Sequence, residues 1–120
     1  MRFKRQMRMK SRSEFLRVRN EGKTFSGKFV VLGILADQEM IPKMKFGIIL
    51  TRKIGNAVTR NRIRRRLRAI INSWGDSLDF SGYLVMIPRY MAPSATFQDL
   101  ESDWKKLVHR AGIVTEDRLI

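Results

Sequence analysis

The 120-residue chain has no cysteine, one histidine and three prolines. Without cysteine it can form neither disulfides nor thiolate zinc sites, and its composition suits a reducing compartment. The lone histidine, His109, cannot build a usual zinc centre, and it reads as a solvated side chain off the apolar stripe of the last helix. No apolar run approaches the roughly 20 residues that a membrane-spanning helix needs. The basic N-terminus is not followed by an apolar segment, so it is not a secretory signal, whereas a transit-peptide reading of residues 1–20 stays open. Walker loops, Rossmann glycine fingerprints and Ser-His-Asp sets are missing. Asp76 and Asp79 flank a turn and read as turn chemistry rather than as a catalytic pair.

Acid is the other scarcity. Against 25 Lys and Arg stand 11 Asp and Glu, which gives a net charge of +14 and a pI near 11.3. So basic a chain calls for a polyanionic partner. The charge is also segregated. Residues 1–20 hold eight basic side chains and one acid, Glu14, and residues 43–68 hold ten basic side chains and no acid. From Trp74 onward the count is five basic to seven acidic.

The length favours one domain with a modest core. Residues 1–10 read as a flexible basic arm carrying Arg2, Lys4, Arg5, Arg8 and Lys10. A short helix is predicted over 11–20, capped by Ser11 or Ser13, with Glu14 in its first turn and Gly22 as its stop. A small strand near 23–25 precedes an apolar strand over 29–36, whose two faces are both apolar and so both should be covered. Residues 45–52 read as a further strand, and the loop 37–42 makes the two a hairpin.

Residues 52–68 are the densest stretch, RKIGNAVTRNRIRRRLR, with eight basic side chains. A helix is predicted from a Thr59 cap to about residue 73, ending at Gly75. On a wheel Ile63, Leu67, Ile70, Ile71 and Trp74 fall in one arc, while the arginines cover the rest. Arg62 with Arg66 and Arg64 with Arg68 are like-charge pairs at four-residue spacing, which cost a few tenths of a kcal/mol each when unrelieved. That argues against a merely solvated face. A DNA major-groove helix of the basic-region kind fits the pattern poorly, because no heptad zipper follows Arg68 and Gly75 stops the helix, and a DNA-binding module stays only as a second alternative. Guanidinium forks on a compact α/β domain suit RNA phosphates. A strand over 83–88 completes a βαβ-type crossover with the strand at 45–52. The last helix starts at Thr96, with Asp99 in a capping-box position, and runs to Gly112.

The run KIGNAV at 53–58, followed by RNRIRR at 60–65, resembles the signature of the bacterial ribonuclease P protein subunit. The order of elements over roughly residues 8–112 is similar to that family too. The resemblance implies an α+β fold, α-β-β-β-α-β-α, of ribosomal-protein-like kind. It would be a single small two-layer sandwich with a mixed sheet and a left-handed βαβ crossover, occupying residues 1–113 and followed by a tail at 114–120. It implies a cytoplasmic, non-membrane subunit that assists a catalytic RNA in removing the 5′ leader from precursor tRNA. Hydrolysis would rest with the RNA and its magnesium ions; no catalytic residue, metal ligand or cofactor falls to the protein. The partners are then the catalytic RNA and precursor tRNA, with no DNA.

By position, Arg52, Lys53, Asn56, Arg60, Asn61, Arg62, Arg64, Arg65 and Arg68 take the RNA-binding roles. The leader cleft falls to Lys10, Phe15, Arg19, Val30 and Leu32. Arg19 and Leu32 stand where the family commonly has aromatics. Stacking contributes about 1–3 kcal/mol per base, so this cleft is expected to lean more on charge, with Phe25 as a substitute aromatic. A basic ribosomal or other structural RNA-binding protein is the alternative reading.

Overall fold

The computed structural model describes residues 7–115. Its elements run α1 (Arg12–Glu21), β1 (Lys23–Ser26), β2 (Val30–Ala36), β3 (Met44–Ile48), α2 (Ala57–Trp74), β4 (Gly82–Pro88) and α3 (Phe97–Ala111). Short 3-10 turns at Arg52–Ile54, Gly75–Ser77 and Ala92–Ser94 join them. The helix starts are set by side chains that satisfy free backbone donors. Ser11 and Glu14 form a capping box on α1, and Thr96 and Asp99 form one on α3. On α2 the cap is Asn56, not Thr59. The Asn56 side chain accepts from the Thr59 amide at 2.9 Å, which starts the helix three residues earlier than expected.

The sheet is mixed, in the order β1-β2-β4-β3. β1 and β4 both run antiparallel to β2, and β3 runs parallel to β4. The expected hairpin between β2 and β3 is therefore wrong, because β4 lies between them. The reason is visible at the sheet end. Gly82 pairs with Ala36 on one side and with Met44 on the other. Its amide donates to Lys43 O at 2.9 Å, and Asp37 N donates to Ser81 O at 2.9 Å, so loop 37–43 passes around the start of β4. At Gly82 φ is 146°, and a Cβ would lie 2.1 Å from Leu35 O, so only glycine fits there.

Both sheet faces are covered, unequally. Val30, Leu32, Phe46, Leu84 and Met86 pack under α2 and α3 in the main core. The α2 stripe of Ile63, Leu67, Ile70, Ile71 and Trp74 is wholly buried there, as is Trp104 of α3. The other face carries α1, with Val18 and Phe15 on Val85, Ile87 and Ile49, and with Met9 buried beside them.

Two ends differ from the expected arm and tail. Residues 1–6, with Arg2, Lys4 and Arg5, lie outside the described residues. Residues 7–10 are docked rather than loose: Arg8 bridges to Phe46, and the Met9 amide donates to Phe46 O at 2.8 Å. At the other end Val114 is buried and bridges to Leu78, so the fold extends past residue 113.

One buried acid ties the sheet to α3. Asp103 accepts from the amides of Lys28, Phe29 and Val30 at 2.9–3.0 Å, which fixes the β1–β2 turn. Losing it strands three donors. Asp103→Ala is expected to lower stability by about 3 kcal/mol, seen as a lower urea midpoint at unchanged m. A loss below about 1 kcal/mol would show that the turn holds without it.

Candidate nucleic-acid interface

The apolar stripe of α2 faces the sheet, so its arginines must leave from the flanks and the outer face. They divide into two groups. Arg62 and Arg66, one turn apart, reach sideways to the loop before α3: Arg62 Nη2 donates to Pro93 O, and Arg66 Nη1 to Ala95 O, both at 3.1 Å. Arg60 Nη1 turns back to Gly55 O at 2.8 Å. The outer group is Asn61, Arg64, Arg65 and Arg68, which line one open concavity of about 600 Å³. There Arg64 Nη1 donates to Asn61 Oδ1 at 2.7 Å. Among the described residues no α2 arginine sits in an ion pair. Burial, together with the nearby Arg8 and Arg64, pushes the Arg68 guanidinium pKa down, and its buried Nε has no partner. This surface is a concentrated positive field with no internal counterion.

Of the nine residues expected to bind RNA, the concavity gathers four. Arg52 and Lys53 are exposed on the turn ahead of α2. Asn56 and Arg62 lie outside the concavity and already serve the fold, the first through Oδ1 as the helix cap and the second through Nη2 as a donor to Pro93 O.

A second feature lies on the other sheet face. α1 and the strands enclose a groove of about 320 Å³ with a largely apolar lining. Val18, Gly33, Ile49, Val85 and Ile87 contribute to it, and Phe15, Arg12 and Arg19 also line it. Phe15 reaches the sheet because β3 has glycine beneath it; a Cβ on Gly47 would lie 2.5 Å from the ring. The Glu14 carboxylate helps to hold α1 there. It accepts from the amides of Lys10 and Ser11 and pairs with Lys45 at 3.2 Å. Burial raises its pKa, but those bonds outweigh burial and hold it below the ordinary value.

Phe15 and Arg19 thus lie where the leader cleft was expected. Val30 and Leu32 do not. Both are 0% exposed on the opposite face, under α2 and α3, so they cannot meet a ligand in this groove. Phe25, opposite Leu32, faces the same way and packs under Arg110. Lys10 is exposed but does not line the groove. The groove side of β2 is instead Val31, Gly33 and Leu35. Strand alternation separated the two sets, but it does not say which set meets α1. His109 is also corrected: it is half-buried, edge-on to Trp74 at 6.3 Å, with Nδ1 2.7 Å from Lys105 O. Among the described residues no three His, Cys, Asp or Glu side chains gather as a metal site.

A family model described as Ribonuclease P matches residues 3–112. The chain belongs to the ribonuclease P protein family. The ribonuclease P protein component of Clostridioides difficile (strain 630) is 35% identical over 94% of this chain and 98% of that protein. That of Bacillus cereus (strain AH187) is 36% identical over 88% of this chain and 89% of its own. Among solved structures, the Staphylococcus aureus RNase P protein matches at TM-score 0.82 and 22% identity, over 89% of this chain and 96% of that one. The Thermotoga maritima RNase P protein matches at 0.76 and 24%, over 86% and 96%. These two likenesses concern the fold, a four-stranded mixed sheet with three helices. The ribonuclease P family is one of tRNA-processing ribonucleoproteins.

The two groups of arginines should separate in stability. Arg62→Ala removes a charged donor to Pro93 and is expected to cost about 1–2 kcal/mol in urea unfolding. Arg65→Ala, on the exposed face, should stay within about 0.5 kcal/mol. Equal losses would contradict the division.

Proposed function

We propose that this chain is the protein subunit that binds the catalytic RNA of ribonuclease P and guides the 5′ leader of precursor tRNA. The observation that carries this reading is the acid-free concavity of Asn61, Arg64, Arg65 and Arg68 on α2. Guanidinium forks recognise phosphate oxygens in pairs, and such contacts position an RNA rather than read its sequence. Asn61 contributes amide donors to the same surface. Arg52 and Lys53 extend the positive field along the approach to the helix.

The groove under α1 suits a single strand. Phe15 offers a ring for a base, the floor is apolar, and Arg12 and Arg19 supply charge for the backbone. With Gly33 rather than a ring on the floor, stacking is limited to Phe15, and charge carries more of the affinity. In this reading the protein performs no bond cleavage. The RNA and its magnesium ions hydrolyse the precursor, and the protein raises the local concentration and alignment of the substrate.

The test is reconstitution. Added to the catalytic RNA at low magnesium, the chain is expected to restore cleavage of precursor tRNA at the mature 5′ end. Restoration should fall on replacing Arg65 and Arg68 together by Ala. No restoration by the native chain would reject the proposal.

A further inference from the structure

The docked residues 7–10 bring a third arginine, Arg8, beside Arg64 and Arg68 of α2. They cross the open edge of β3 as a strap, with Met7 buried in the main core and Met9 in the α1-side cluster. Between strap and helix lies a cleft of about 110 Å³, room for a few waters. Arg8, Arg64 and Arg68 line it together with Met9, Phe15 and Gly47. Three guanidinium groups from two separate segments therefore converge, and among the described residues no carboxylate pairs with any of them. Their repulsion works against the docked strap. The buried, unpartnered Nε of Arg68 is a further donor in search of an acceptor.

We propose that this cleft holds one phosphate of the RNA backbone, and that the phosphate fastens the strap. An oxyanion among three forks converts mutual repulsion into three charge-assisted contacts. Fastening has a second consequence. Met9 and Phe15 share the space above Gly47, where a Cβ would meet the Phe15 ring at 2.5 Å and the Met9 sulfur at 3.2 Å. A fixed strap therefore fixes the Phe15 wall of the groove. Phosphate in the cleft and a single strand in the groove then favour each other, each by the same factor. This coupling rests on the groove being the single-strand site; the phosphate site itself does not.

The experiment uses the full chain, with inorganic phosphate as the probe against chloride at equal ionic strength. At phosphate ten times its Kd, hydrogen exchange of the Met9 amide is expected to slow about tenfold. In Arg8→Ala, an exposed position, phosphate should not slow it. Equal slowing in both chains, or in neither, overturns the site. A short single-stranded RNA without a terminal phosphate should bind the native chain several-fold more tightly in phosphate, and Arg8→Ala should lose that gain. Weaker binding in phosphate would mean competition and would overturn the coupling. If the oligonucleotide binds in neither medium, the groove reading fails, and amide exchange still decides the phosphate site. In the assembly with the catalytic RNA, added phosphate should change leader affinity no further; a gain there would make the ligand a free ion and overturn the RNA source.

Discussion

The packing of one stripe of α2 on the sheet governs the rest of the molecule. Ile63, Leu67, Ile70, Ile71 and Trp74 sit at three- and four-residue spacing, and all are buried against β-strand residues and α3. Burying such side chains stabilises by about 1.5–3 kcal/mol each, far more than the few tenths that each like-charge pair costs. The apolar stripe can therefore carry a helix whose exposed surface is almost all arginine. It also fixes rotation. With the stripe inward, Arg62 and Arg66 meet the loop before α3, while Asn61, Arg64, Arg65 and Arg68 line the open outer side.

The unequal covering of the sheet supplies the second feature. Two long helices close one face, whereas the ten-residue α1 covers only part of the other. What remains is an apolar groove lined in part by arginine. Gly33 lowers its floor, and Phe15, seated over Gly47, stands at its side. The arginine surface and the groove adjoin at Phe15, Arg64 and Arg68, where residues 7–10 cross the sheet edge. In the proposed function the arginine surface takes a large folded RNA and the groove a flexible strand, and adjoining surfaces of this kind suit both together.

Much of this was legible in the residues. The α2 stripe, the Thr96–Asp99 capping box, the element order and the parallel pairing of the crossover strands follow from periodicity and local chemistry. What escaped depends on contacts between residues far apart in sequence. The insertion of β4 between β2 and β3 is fixed at Gly82, whose conformation a sequence does not display. Alternation divided β2 into Val30, Leu32 and Ile34 against Val31, Gly33 and Leu35, but α1 chooses the second set only once the sheet is assembled. The family resemblance pointed to Val30 and Leu32, and the fold buries both under α2 and α3. Arg62 looks like its neighbours in a run of arginines, and only the position of Pro93 shows it to be a structural donor. The docking of residues 7–10 was hidden for the same reason, since their charge suggested a solvated arm.

The central claim is that α2 divides its arginines between RNA and protein. The most direct measurement is the salt dependence of binding to the catalytic RNA. For each phosphate that a variant no longer neutralises, the slope of log K against log salt should shallow by roughly 0.7–0.9. Arg65→Ala is predicted to shallow it by about that amount, and Arg62→Ala to leave it unchanged. A shallower slope for Arg62→Ala, or an unchanged slope for Arg65→Ala, would contradict the account.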